Sequence, residues 1–125
     1  SKVGCRTVCA VRFGNPAGIS VFPGGAMGVH GGAIQAAMDE ITAICVRTWV
    51  TPVCTTRRIV HQIPRPVLQF QTYRAVCVID NVTNVGSLVV VKAKLLDLLG
   101  EVVCITTSDM VDVTKMYQLQ YQQGE

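Results

Sequence analysis

One segment constrains this chain more than any other: from Gly31 to about Thr48 the residues favour helix and are apolar on nearly every side. A helix without a broad polar face is expected to be buried on its whole circumference. The rest of the chain must therefore supply a cover for it. Nothing after Pro52 reads as a second helix. Thr55 to Ile63, Leu68 to Val82, Ser87 to Leu98 and Val102 to Val113 are rich in Val, Ile, Thr and aromatic residues, the composition of strands.

An earlier strand is expected over about residues 2 to 13, where Val3, Cys5, Cys9, Val11 and Phe13 alternate with Lys2, Arg6 and Arg12. A glycine-rich loop follows, with turn chemistry at Asn15-Pro-Ala-Gly and Pro23-Gly-Gly. Between the later strands, Pro64-Arg-Pro66, Asn81 to Gly86 and Leu99-Gly100-Glu101 supply short breaks, which most simply link sequential strands into an antiparallel meander. The pattern predicts an α+β fold in which one long central helix is wrapped by a curved antiparallel sheet of about five strands. Residues 1–113 form a single domain in this reading. Residues 114–125, with Gln118, Gln120, Gln122 and Gln123, form a peripheral or disordered tail.

Half of the residues are hydrophobic and 15% are charged, an apolar balance for a chain of 125 residues, so part of the surface is expected to be covered by another subunit. Eleven basic against eight acidic side chains give a net charge of +3, too weak and scattered for nucleic-acid binding but compatible with a small anionic ligand. The six cysteines lie in apolar runs without CxxC spacing and with only two histidines to join them. Buried free thiols in a reducing compartment are expected, with no metal site. No apolar stretch reaches the roughly 18 residues of a membrane span, and no signal-peptide pattern opens the sequence. An intracellular protein, cytoplasmic or mitochondrial, is the expectation, although a chain lacking an initiator Met can have lost an upstream targeting segment.

The residues with chemical potential cluster at the helix start. Gly31 and Gly32 expose backbone N–H groups and the positive end of the helix dipole with no side chain in the way, where a carbonyl oxygen could dock. Two glycines can equally serve tight packing. Asp39 lies seven residues after Gly32, two turns on and nearly on the same face, in a helix with almost no other polar side chain. Burying a carboxylate is costly unless it is paired or used. Glu40 is turned about 100° away and faces Arg47, so a structural ion pair is expected there. His30 is expected to fix the loop or cap the helix rather than act as a base, and His61 has no nucleophile motif beside it.

At these residues the sequence resembles the hotdog-fold thioesterases, in the branch of the phenylacetyl-CoA and human thioesterase-superfamily enzymes. The motif His-Gly-Gly-Ala with an acidic residue nine positions after the His is present as His30-Gly31-Gly32-Ala33 and Asp39. A Thr ten residues before the Pro of an Arg-Pro pair is present as Thr56 before Arg65-Pro66. The resemblance runs from the first strand to Val113. It implies hydrolysis of an acyl-CoA thioester, with Asp39 as general base or nucleophile, Thr56 orienting water, and the Gly32 amide, or less directly Gly31, polarising the carbonyl. It also implies CoA as part of the substrate, no separate cofactor, and a homodimer or dimer of dimers with sites at the subunit boundary. His30, Arg57, Arg58 and Arg65 are the candidates for substrate binding, the arginines by charge-assisted bonds to phosphate. The chain departs from the pattern at Gly24, where some relatives carry a side-chain amide, and at Pro64, often aromatic or basic. Two other functions compete: a noncatalytic acyl-CoA-binding or assembly subunit, and a dehydratase or hydratase, which would need a His–acid pair that His30 and His61 do not obviously supply.

Overall fold

In the computed structural model, residues 2–14, 18–21, 27–83 and 87–116 are described. The departure at Gly24 and the end of the expected tail, 117–125, lie outside the described residues, as do parts of the 14–28 loop and of the 81–86 turn. The elements run β1 (Arg6–Arg12), β2 (Gly18–Val21), β3 (Met27–Val29), α1 (Gly31–Trp49), β4 (Cys54–Gln62), β5 (Thr72–Thr83), β6 (Leu88–Leu96) and β7 (Val102–Asp112). Five strands form one antiparallel sheet in the order β1-β5-β6-β7-β4, with α1 packed on one face. This is the expected α+β hotdog arrangement.

The meander expectation holds for β5, β6 and β7 and fails on either side of them. β4 pairs with β7, Thr56 facing Met110 and His61 facing Thr106, while β1 pairs with β5. No residue signals this order locally, because the segment 63–71 carries the chain across to the other side of the sheet. That crossing also shortens the expected strand from Leu68. Leu68 makes one isolated bridge to Gly28, and Phe70 adopts a positive φ of 63°, a turn conformation rare outside glycine. Within the glycine-rich loop, β2 and β3 form a small antiparallel pair that composition concealed. The first strand is shorter than expected, since Gly4 turns at φ 90° before it.

The helix departs from the expectation of all-round burial. Ile34, Met38, Ile41 and Cys45 recur at helical spacing and, with Thr42 and Val46, form its buried face. Their side chains meet Ala75, Cys77, Ile79, Val89, Val91, Leu95 and Met110 from the sheet. Full burial contributes about 1.5–3 kcal/mol for each large aliphatic side chain. Thr42 satisfies its hydroxyl on the Met38 and Asp39 carbonyls at 2.9 and 3.0 Å. The opposite face, Gln35, Ala36, Glu40, Ile44, Arg47 and Thr48, is exposed in the single chain. One sheet can cover only one side of a helix, so the surplus apolar residues, with Ile44 45% exposed, stay uncovered.

All six thiols are free, but their burial varies: Cys45, Cys77 and Cys104 are buried, Cys5 and Cys54 half-buried and Cys9 exposed. Burial raises the Cys77 thiol to about 12, which leaves it unreactive. Among the described residues no helix is long and apolar enough to cross a membrane, and no three metal-binding side chains converge. Thr114, where the expected tail begins, bonds to Asp112 and Thr51 and starts a helical turn over 114–116.

Candidate active site

Asp39 projects from the middle of α1 toward edge strand β4, where Thr56 meets it. The Thr56 Oγ1–H donates to Asp39 Oδ1 at 2.6 Å, across seventeen residues of sequence. A charge-assisted bond of that length is among the stronger ones a protein makes. β4 is bulged beside it: Thr56 pairs with Met110 and Arg58 with Asp109, so Arg57 is the extra residue. A bulge re-aims neighbouring side chains, and here Thr56 points inward while Arg57 and Arg58 are both exposed. Glu40 takes the expected structural role, accepting from Arg47 at 2.7 Å.

The helix start divides the two glycines. His30 is the N-cap, and its Nδ1 accepts the Gly32 N–H at 2.7 Å, while its carbonyl accepts from Ala33 and Ile34. An accepting Nδ1 places the imidazole proton on Nε2. Gly32 cannot gain a side chain without conflict, since a Cβ there would lie 2.8 Å from His30 Cε1 and Nδ1. Gly31 differs on every count. Among the described residues a Cβ would meet nothing within 4 Å and nothing accepts its N–H, and its φ is not positive. Gly32 is thus explained by the cap, whereas nothing among the described residues requires glycine at 31.

The same inward row of β4 continues to His61, whose Nδ1 lies 2.9 Å from Thr106 Oγ1. Burial lowers the His61 pKa, and the negative charge of Asp39 partly opposes this. On β7, Thr106, Ser108 and Met110 share the helix-facing side and are fully buried. The Ser108 hydroxyl is sealed from solvent with no hydrogen-bond partner among the described residues. A buried hydroxyl left unpaired costs about 1–3 kcal/mol. Sequence reasoning passed over Ser108 and Thr106, yet Ile105-Thr-Thr-Ser-Asp109 interrupts an otherwise apolar strand and gave a signal.

Arg65 does not join this pair. Arg65 lies beyond the end of β4 farther from Thr56, exposed, with its guanidinium 3.5 Å from Glu101. Pro64 sits in the same exposed turn. Two concavities, of about 630 Å³ along Val8–Ala10 and Asp97–Gly100 and of about 280 Å³ along Val76, Val78, Lys92 and Lys94, include neither Asp39 nor Thr56. The Asp39–Thr56 pair instead sits beside the uncovered face of the helix.

A long helix on a five-stranded antiparallel sheet is an arrangement that solved thioesterase-superfamily structures share. The chain matches the thioesterase superfamily protein RHA08564 with a TM-score of 0.70 at 19% identity, covering 86% of this chain and 49% of that one. It matches the E. coli PaaI protein of the phenylacetic acid degradation operon with a TM-score of 0.72 at 11% identity, covering 86% and 72%. An acyl-CoA hydrolase from Staphylococcus aureus, in complex with butyryl coenzyme A, matches with a TM-score of 0.69 at 15% identity, covering 86% and 62%. The chain therefore spans about half the length of the first and less than two thirds of the third. At these identities the likeness establishes the hotdog fold. No family model and no curated protein sequence matches the chain.

Proposed function

We propose that this protein hydrolyses an acyl-CoA thioester to the free acid and CoA. The observation that carries the reading is the 2.6 Å bond from Thr56 to Asp39. By occupying one carboxylate oxygen, the Thr56 hydroxyl leaves the other to take a proton from water as the water oxygen attacks the thioester carbon. Negative charge moves to the carbonyl oxygen, and collapse expels the CoA thiolate, which recovers the proton from Asp39. Asp39 can alternatively attack the carbon directly, with water then cleaving the anhydride. Either route needs a donor for the carbonyl oxygen. The N–H of Gly31, without an acceptor among the described residues and at the positive end of α1, suits that role better than that of Gly32, which His30 already holds.

Gly31 and Asp39 are eight residues apart on one helix, about 12 Å along its axis, too far for both to act on one carbonyl. Two copies related by a twofold axis, with their helices antiparallel, would bring Gly31 of one beside Asp39 of the other. We infer two such composite sites per dimer. The solved S. aureus hydrolase that shares the fold holds butyryl coenzyme A, which supports CoA as the acyl carrier here. Arg57, Arg58 and Arg65 are the cations available for its phosphates. No cofactor beyond the substrate is needed.

The test is a panel of acyl-CoAs followed by mass spectrometry. Release of free acid and CoA supports hydrolysis. Binding without conversion would assign a noncatalytic acyl-CoA-binding role, and a change of mass by one water without CoA release would assign hydratase or dehydratase chemistry.

A further inference from the structure

Three polar side chains interrupt the apolar floor beneath the helix, and the proposed hydrolysis leaves all of them unused. Ser108 and Thr106 are each 0% exposed on the helix-facing side of β7, and His61 joins them from β4 through its 2.9 Å contact with Thr106. Thr106 is served by that contact and by the Cys104 thiol at 3.6 Å. Ser108 is served by nothing among the described residues. Its ladder partners, Ile59 and Val91, are apolar, so an aliphatic residue would suit the position better in a core that had only to pack. A fully buried hydroxyl without a partner points to a group that arrives from elsewhere.

The row is placed to meet an acyl chain. Met110 pairs with Thr56, which marks the thioester carbon, and Ser108 lies two residues further along the same face of β7, roughly 7 Å away. That distance is within reach of a short acyl group. Thr106 and His61 stand one ladder step beyond. Met38 and Met110, both fully buried in the same layer, are unbranched and can change rotamer to admit a chain between helix and sheet.

We propose that Ser108, Thr106 and His61 form a recognition track for the acyl group, selecting a short acyl chain that carries a hydroxyl over the plain alkyl chain of equal length. The inference rests on the acyl-CoA reading of the Asp39–Thr56 site and specifies its substrate class. A hydroxyl on the chain can donate to the Ser108 oxygen or accept from its O–H, and either bond ends its isolation. A plain alkyl chain buries the same hydroxyl unpaired in the complex.

The test uses thioether analogues of butyryl-CoA, 3-hydroxybutyryl-CoA and 4-hydroxybutyryl-CoA, in which a methylene replaces the carbonyl so that hydrolysis cannot occur. Each is titrated calorimetrically against the unmutated chain, Ser108→Ala and Thr106→Val, and the melting temperature of each protein is taken without ligand. One of the hydroxylated analogues is expected to bind the unmutated chain about 10- to 100-fold more tightly than the butyryl analogue. Ser108→Ala should abolish that ratio while raising the melting temperature, because it removes an unpaired hydroxyl, and Thr106→Val should reduce it. Equal binding of all three analogues overturns the track, as does Ser108→Ala with an unchanged ratio. Turnover of acyl-CoA by a chain with no hydroxyl preference leaves hydrolysis standing and removes only the track. Selective binding without turnover of any acyl-CoA does the reverse; binding of none of the analogues removes the track, and the hydrolysis reading falls with it only where no acyl-CoA is turned over.

Discussion

Replacing Gly31 and Gly32 by alanine, one at a time, should separate stability from activity. At Gly32 the added Cβ would sit 2.8 Å from the His30 ring and push its Nδ1 off the Gly32 N–H. Loss of an N-cap typically costs about 1 kcal/mol. The exchange of glycine for alanine in a helical position returns roughly 0.5–1 kcal/mol, so Gly32→Ala should be neutral to mildly destabilising. Gly31→Ala receives the same gain with no clash among the described residues, where its Cβ meets nothing within 4 Å. The two variants should therefore differ by about 1 kcal/mol, or roughly 3–5 °C in melting temperature, with Gly31→Ala the more stable. Activity should run the other way. A methyl group at 31 stands in the approach to that residue's N–H, and full displacement of the carbonyl from such a donor costs about 10²–10³ in kcat. Thermal melts, gel filtration and steady-state hydrolysis of one good acyl-CoA substrate measure all of this. If Gly31→Ala hydrolyses as fast as the unmutated chain, the Gly31 amide is not the carbonyl donor. A variant that melts early and loses its dimer would instead assign the open space at Gly31 to the partner subunit.

Thr56→Val keeps the shape of the side chain and removes its hydroxyl; kcat should fall about 10-fold with little change in KM, since orienting a group contributes less than activating it. Unchanged turnover would reduce Thr56 to a structural role. Burial lowers the His61 pKa below its ordinary value of 6.5, so the folded state favours the neutral ring. That contribution is fully present above pH 6.5 and is lost as pH falls through the lower folded value. Melting temperature measured from pH 7.5 to 5 should therefore drop more for the unmutated chain than for His61→Gln; parallel curves would contradict the assignment. Refolding Gly31→Val together with Asp39→Ala should restore roughly one quarter of full activity, because about half of the dimers are mixed and each mixed dimer holds one intact site of two. Mixed dimers with no activity would return both residues to a single subunit.

Much of this arrangement was legible because its signals are local. Helix propensity marked α1, β-branched runs marked the strands to within a few residues, and the motif spacing nominated Asp39 and Thr56, which the fold brings to 2.6 Å. Strand order was not legible, since nothing in Cys54–Gln62 indicates pairing with β7 rather than β5. The left-handed Phe70 has no local signature, as that conformation is imposed by the path of the chain. The helix was read as buried all round from its composition, but composition cannot distinguish cover by the same chain from cover by another copy. The resemblance ranked Gly32 ahead of Gly31 as the carbonyl donor, and spacing could not correct it: as letters the two are equivalent, and only the His30 ring tells them apart.

The central claim is that Asp39, held by Thr56, drives thioester hydrolysis. Its most direct test compares the unmutated chain, Asp39→Asn and Glu40→Gln on one acyl-CoA substrate, with free acid and CoA quantified by mass spectrometry. Asp39→Asn preserves the shape of the side chain and should lower kcat by about 10² or more with little change in KM, while Glu40→Gln, which only weakens an exposed ion pair, should leave turnover within about twofold. Turnover by Asp39→Asn at the unmutated rate, or an equal loss from Glu40→Gln, would contradict the account.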